Sequence, residues 1–408
     1  MRLNVLLGRS SFELANLRSQ QAAGQRQRQL LRDFSASLGW VHTLSPRATL
    51  DSTTSYRATI AQLFPSPADT PVTAAQARHL STFTEAARFS VMVGRHTLRA
   101  GADYQHFPVS ENFTFGITEP SFNDPRSPGF IPLLMAYDLS RGGGLFQFSK
   151  QKSGNLVSSF AQDQALWGRF AFSLGLRYDD YRFLVHGHQL QPRLGMSYHL
   201  RETGTVVRAS YNRVYQTPVN ENLLLSNSSE SAVLVPASVR ARLGGAILSI
   251  RPERQNVYEV GLQQGIFSRA SVNAVYYYKD EQDLHDNDNF FNTGIIFPTS
   301  LKKSRVNGAE LRATLLPAHG LSGSLSLTHY HVIVIPPFNG GLFIGQSAIN
   351  ALSSGPFIID HDQQLAIRRY DGSRSLARCA GEPPVRATHA HLDELGGEIR
   401  QRSGDEPV

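Results

Sequence analysis

The chain has 408 residues, 41% of them hydrophobic and 18% charged, with a formal net charge of +7. This excludes global disorder, and the length allows two or three ordinary domains or one large β architecture. The basic residues are scattered, with no Lys/Arg block and no zinc-finger spacing, so nucleic acid is not an expected partner.

The single cysteine, Cys379, rules out an intrachain disulfide framework and a Cys-based zinc site. No run of about 18 apolar residues is present to make a transmembrane helix. At the N-terminus, MRLNVLLGRSSFEL carries an Arg and an apolar patch too short for a secretory h-region, so an export signal is not expected within this sequence. Residues 1–29 read as an irregular segment that could hold a first strand.

From residue 30 onward an alternation of period two recurs, which places one set of side chains on each face of a strand. Phe34, Ala36, Leu38 and Trp40 alternate with Ser35, Ser37 and Gly39. Leu98, Ala100, Ala102 and Tyr104 alternate with Arg99, Gly101, Asp103 and Gln105. Phe170, Phe172, Leu174, Leu176 and Tyr178 face away from Ala171, Ser173, Gly175, Arg177 and Asp179. Leu194, Met196, Tyr198 and then Val207, Ala209 and Tyr211 form the apolar side of a hairpin that turns at 201–204, with Arg193, Ser197, Arg208 and Ser210 on its wet side. The pattern continues through Val272–Tyr278, Ala309–Leu315 and Leu321–Leu327. About thirteen such segments of roughly ten residues are expected, the length of a tilted transmembrane strand.

Their connections alternate between short links (45–47, 94–96, 167–168, 201–204, 265–269, 317–320) and long polar stretches (62–86, 107–154, 217–255, 282–304, 333–360). Short on one side and long on the other is the pattern of an outer-membrane barrel rather than of a Greek-key sandwich. Tyr178, Tyr215, Tyr277 and Tyr278 are placed for an interfacial aromatic girdle. The wet faces carry Gly, Ser, Thr and Asn with a few charges, where a soluble sandwich would carry a denser Lys/Glu coat. The texture changes near Gln364, so 30–364 is read as a partial barrel and 365–408 as a disordered tail standing where closing strands belong.

Four motifs then carry a resemblance. F-x-Q-D followed by G-x-R-Y-D occurs within SSFAQDQALWGRFAFSLGLRYDDY (158–181). P-R-x-G, R-A-S-Y-x-R and T-P-x-x-E-N follow in QPRLGMSYHLRETGTVVRASYNRVYQTPVNEN (191–222). RPERQNVYEVGLQQ (251–264) and VNGAELRATL (306–315) complete the series. In order and spacing these resemble the barrel of TonB-dependent outer-membrane receptors. The resemblance implies an all-β, antiparallel, up-and-down transmembrane barrel, partial here, with long external loops and without the family's plug domain. It implies energised uptake of a scarce ligand at the cell outer membrane, with lipid and lipopolysaccharide around the barrel, an unknown small ligand at the external loops, and TonB only where a plug is supplied. A passive porin-like channel or a soluble β-rich binding or adhesin module are the alternatives.

Arg177, Arg208, Glu259, Glu310 and Arg312 are the candidate lumen-facing residues, either as cross-strand ladders that keep the interior wet or as plug or solute contacts. No cofactor, resident metal or enzymatic activity is expected. HExxH, GxSxG, Walker A and GxGxxG are absent, and the S-x-x-K matches at Ser149–Lys152 and Ser300–Lys303 lack companion motifs. DEQDLHDNDNFF (280–291) lacks the Gly and Glu of an EF-hand and reads as a solvated acidic loop. HYH (329–331) offers two His on one strand face without a third ligand. HDQQ (361–364) carries no nameable chemistry. Ligand specificity is expected in the loops 110–130 and 216–230.

Overall fold

A strand whose side chains alternate apolar and polar can satisfy both faces only in a sheet with two different environments, and its backbone only by pairing on both edges. The computed structural model builds such a sheet. It describes residues 1–371 apart from 15–17, 128–129, 221, 236–248, 268, 292, 294, 319–320 and 341–356. The tail beyond 371, with Cys379, lies outside the described residues.

Fourteen antiparallel strands follow one another in sequence order, each paired with its neighbours in the chain. They are β1 (Arg2–Glu13), β2 (Arg28–Ser45), β3 (Ala48–Phe64), β4 (Val72–Val93), β5 (His96–Ile117), β6 (Phe146–Trp167) and β7 (Phe170–Arg182). β8 (His186–Leu200), β9 (Thr205–Gln216), β10 (Glu253–Ile266), β11 (Ala270–Asn289), β12 (Ile296–Ala318), β13 (Leu321–Gly340) and β14 (Phe357–Asp371) complete the order. The sheet curls strongly: β5 and β12, seven places apart in that order, touch through the rings of Phe113 and Phe297, 6.0 Å between centroids. β1 and β14 are not paired with each other among the described residues. The short links are tight turns, and at two of them Gly94 and Gly168 take the positive φ (59° and 62°) that such turns demand.

Period two holds in the lower half of every well-patterned strand. On β7, Phe170, Leu174, Leu176 and Tyr178 are exposed on the outer face; on β8, so are Leu194 and Met196; on β10, Tyr258, Val260 and Leu262. Across the sheet these residues sit side by side in register, Leu174 opposite Leu194 and Val260 opposite Ala209. Large apolar side chains exposed in a continuous belt are the mark of a lipid-facing surface. Aromatics edge the belt. Trp40, Trp167 and Phe170 lie toward the short turns, and Tyr104, Tyr178, Tyr211, Tyr258 and Tyr278 lie toward the long connections. The rings of Tyr211 and Tyr258 are 5.0 Å apart and those of Tyr258 and Tyr278 6.3 Å apart, each pair tilted, forming a girdle on adjacent strands.

Above that girdle the strands continue but the polarity of their faces exchanges. On β5 the inward residues Phe107, Val109, Phe113, Phe115 and Ile117 are buried, while the outward ones are Pro108, Ser110, Asn112 and Thr114. β7 does the same, with Tyr181 inward, followed by Phe183 just past its end, and Asp180 and Arg182 outward, and β6 with Phe146 and Phe148 inward against Gln147 and Ser149. There the outer face is polar and the inner face is packed protein.

This corrects several sequence expectations. β4, β5, β6, β11 and β12 run 20 to 23 residues, about twice the expected length, so most of 62–86 and 282–304 and both ends of 107–154 are strand, and the true connections are shorter. Residues 280–289, expected as an acidic loop, finish β11. Both S-x-x-K matches lie within strands, β6 and β12. The segment 1–29 holds a fully registered strand, since β1 pairs with β2 from Arg2 to Glu13. At the other end β14 runs to Asp371, so the first seven residues of the expected tail, 365–371, are strand. Tyr277 and Tyr215 face inward, not toward the girdle: Tyr277 lies over Gly308, and Tyr215 is 9% exposed within the core.

Candidate functional site: the lumen wall and the external loop core

At the level of the apolar belt, the inward faces carry the charges. Arg177 on β7 donates from Nη2 to Asp179 at 2.9 Å and reaches Asp103 on β5 at 3.8 Å. Asp103 also accepts from Arg88 on β4 at 3.4 Å, and Arg88 lies 3.9 Å from Asp51 on β3. Gln191 on β8 donates to Asp179. A ladder of alternating sign therefore crosses the wall from β3 to β8. It spans β6 without a charge, because Phe160 lies there across Gly101. A second ladder joins Arg208 on β9 to Glu259 on β10 at 3.4 Å and to Asn273 on β11 at 3.1 Å. Glu310 and Arg312 are exposed on the same face of β12, opposite Val275 and Asn273, and take part in no ion pair among the described residues. The five candidate residues thus share one face but fall into three sets: Arg177 in the first ladder, Arg208 and Glu259 in the second, and Glu310 and Arg312 in neither.

Sequence reasoning missed the partners of these residues. Asp103 and Asp179 were legible as wet-face positions, but the meeting of Asp103 with Arg88 and Arg177 depends on strand register. Two cavities lie along the wall. One of about 440 Å³ has Thr97, Gln164, Ser173, Ser197, Arg208 and Glu259 among its lining. The other, about 350 Å³, is bounded by Arg177, Asp179, Gln191, Arg193 and Tyr215 and lies directly beneath the loop core.

That core fills the external end. The connection after β5 folds into three short 3-10 turns (Pro120–Asn123, Pro132–Tyr137, Leu139–Arg141). The connection after β9 forms a short helix, Leu223–Ser226, and a 3-10 turn, Ser229–Leu234. Leu223, Leu225, Leu234, Ile117 and Leu134 are each at most 1% exposed and pack among Phe113, Phe115, Phe290 and Phe297. The rings meet edge to face, Phe113 on Phe290 at 5.2 Å and Phe115 on Phe290 at 5.0 Å, the geometry preferred by aromatic quadrupoles. Burying each such side chain contributes roughly 1.5–3 kcal/mol.

Polar anchors fix the layer to the wall. Glu111 on β5 accepts hydrogen bonds from the backbone N–H groups of Leu224 and Leu225, both 3.0 Å, one on each carboxylate oxygen. Gln76 on β4 donates to Asn222, Asn222 donates to the Ile296 carbonyl, and Ser226 donates to the Pro298 carbonyl at 2.9 Å. Lys150 pairs with Glu230 at 2.8 Å. Burial pushes the Glu111 carboxyl up to about 7, although the two N–H groups and the nearby Arg78 pull the other way.

On the outer surface, just above the tyrosine girdle, Asp180, His186 and His188 bring one ligand-type atom each to within 4.8 Å of one another. His186 Nε2 lies 2.9 Å from Asp180 Oδ2, and that hydrogen bond, together with Arg182, holds the Asp180 carboxyl below its usual range. The sequence reading passed over this group. Its signal was H-x-H opposite a D-D pair across a three-residue link.

A family model described as TonB-dependent receptor-like β-barrel matches residues 4–356. The chain belongs to that family. No curated protein matches it in sequence. Among solved structures, the chain is similar to the outer membrane transporter YddB from Escherichia coli, with TM-score 0.57, 13% identity, and coverage of 90% of this chain and 52% of that one. It is similar also to the ferric citrate transporter FecA, with TM-score 0.54, 15% identity, and 90% and 52% coverage. The ferric yersiniabactin uptake receptor FyuA from Yersinia pestis gives TM-score 0.51 at 12% identity, over 76% of this chain and 43% of that one. The chain thus spans about half the length of these structures, and at such identities the likeness is one of fold.

Within a TonB-dependent receptor barrel the motif glycines acquire a reason. Gly261 and Gly308 lie beneath long side chains of the neighbouring strand: an added Cβ would come within 2.7 Å of Arg208 Nε at the first and 2.4 Å of the Tyr277 ring at the second. The bare backbone lets Arg208 reach across β10 to Asn273. The family's members are transport receptors, so the wall and loop core are the parts of this chain to examine for binding rather than catalysis.

Proposed function

We infer that the chain supplies the barrel wall and the ligand-facing external surface of a TonB-dependent outer-membrane receptor that takes up a scarce small ligand. The observation that carries this is the exchange of face polarity along single strands, from apolar outside within the belt to apolar inside above it. Such a strand fits a wall that leaves lipid for water and closes over packed loops. The same core argues against a passive channel, because the external mouth is filled by Leu223, Leu225, Phe113 and Phe290 rather than open. It argues against a soluble module as well, which would leave the belt of Leu174, Leu194, Val260 and Tyr276 bare in water.

In this reading, lipid and lipopolysaccharide cover the outer belt. Arg177, Arg208, Glu259, Glu310 and Arg312 hydrate the lumen and meet a plug where one is present, and TonB acts through that plug. The ligand is met at 110–130 and 216–230. The ferric chelates named for FecA and FyuA are the first to try.

Orientation tests the proposal. The chain, with Cys379→Ser and an export signal, is produced in a Gram-negative bacterium carrying either Arg126→Cys in the first long connection or Arg201→Cys in the turn after β8. A membrane-impermeant maleimide on intact cells should label Arg126→Cys and spare Arg201→Cys until the outer membrane is opened. Equal labelling, or the reverse, overturns the reading.

A further inference from the structure

The β7–β8 hairpin carries a group of side chains that the uptake reading does not use. Asp180 on β7 is directly opposite His188 on β8, and Arg182 is opposite His186. Asp180, His186 and His188 have the same parity as Tyr178 and Leu190, so they point outward from the wall, immediately above the girdle. The link between the strands is only three residues long and is pinned from within. Phe183 is 7% exposed, lies edge-on to Phe107 at 5.5 Å, and donates its N–H to the Val185 carbonyl at 3.1 Å. The three side chains therefore stand on a rigid two-strand platform.

We propose that Asp180, His186 and His188 form a binding site for a divalent transition-metal ion on the outer wall of the barrel. Two imidazoles and one carboxylate, with one atom from each within 4.8 Å of the others, match the donor set and approach the spacing of a two-His, one-carboxylate facial site. Ligand atoms bound to one ion at about 2.0–2.2 Å stand roughly 3–4 Å apart, so side-chain rotation alone closes the triad. His186 Nε2 and Asp180 Oδ2, now 2.9 Å apart, would exchange their mutual hydrogen bond for the ion. Arg182 donates to the other oxygen, Oδ1, at 2.7 Å and so orients the carboxylate without occupying the atom the metal needs. The His186 and His188 rings are 5.7 Å apart and tilted by 46°, not stacked face to face, which lets both nitrogens converge. Imidazole donors select borderline ions over Mg²⁺ and Ca²⁺, and among them Cu²⁺ should bind most tightly, ahead of Zn²⁺. Three protein ligands leave the remaining positions to water or to an oxygen donor from outside. The site depends on the hairpin alone, so its failure would leave the uptake reading standing, and the converse holds.

The test uses the full chain folded in detergent at neutral pH, with Cu²⁺ as the probe. Wild type should bind at this site with electron paramagnetic resonance couplings to two nitrogens. His186→Gln, His188→Gln and Asp180→Asn should each lower affinity at least about 10-fold, losses of the size seen even for second-shell changes. His199→Gln, on the opposite face of β8, should change nothing. Fewer than two coupled nitrogens in wild type overturns the site without recourse to any variant. So does a variant series in which His199→Gln loses as much as His188→Gln.

Discussion

Glu111 shows how a single side chain couples the loop core to pH. Its carboxyl is 2% exposed, and burial raises its pKa to about 7 from the 4.5 of a free side chain. The folded state therefore holds a proton on Glu111 at pH values where the unfolded or undocked state has lost it. The raised acid contributes its full stability below about 4.5 and loses it as pH rises through 7, a change on the order of 3 kcal/mol. Docking of 217–235 should thus be tighter at pH 5 than at pH 8, as read by hydrogen exchange at Leu224 and Leu225. Glu111→Gln should flatten that dependence, and an unchanged slope in the variant would assign the effect elsewhere. Glycine offers a second residue-scale contrast. At Gly101 an added Cβ would lie 2.7 Å from the Ala87 backbone carbonyl and 2.7 Å from Phe160, whereas at Gly175 its nearest neighbour is 3.5 Å away. Gly101→Ala should destabilise the folded barrel by about 1–3 kcal/mol in a urea refolding assay, and Gly175→Ala should be tolerated even though Gly175 belongs to the G-x-R-Y-D motif. Motif membership marks the strand; only the three-dimensional neighbour decides the cost.

At the scale of the element, β7 condenses the whole reading. Leu174 is 50% exposed on the outer face and Ser173 lies on the lumen face, one residue apart. Leu174→Arg should cost about 2–4 kcal/mol when folding into lipid vesicles, while Ser173→Arg should cost little. Equal tolerance would show that the two faces are not lipid and water. This contrast was legible in sequence because period two survives any uncertainty about neighbours. The upper half of the strand was not. Tyr181 and Phe183 continue the alternation in opposite phase, and a reader who takes apolar to mean outward ends the strand at Tyr178. The same inversion hid the external halves of β5, β6 and β12. Val109, Glu111, Phe113 and Phe115 alternate as cleanly as any lipid-facing run, yet they point into the loop core.

For the whole molecule, the sequence alone determined the class: antiparallel strands in sequence order, tight turns at one end and long connections at the other. These follow from local rules, since a period of two and a tight turn need only adjacent residues. Tertiary structure decided everything that depends on register or on curvature. Register joined Asp51, Arg88, Asp103, Arg177 and Asp179 into one ladder and left Glu310 and Arg312 outside it. It also set Asp180 opposite His188 across a three-residue link. Curvature brought β5 against β12 and so made a hydrophobic core from segments that each looked like solvated loop. The physical reason is that a side chain's partner across a sheet is fixed by backbone pairing tens of residues away, and no local pattern encodes that distance.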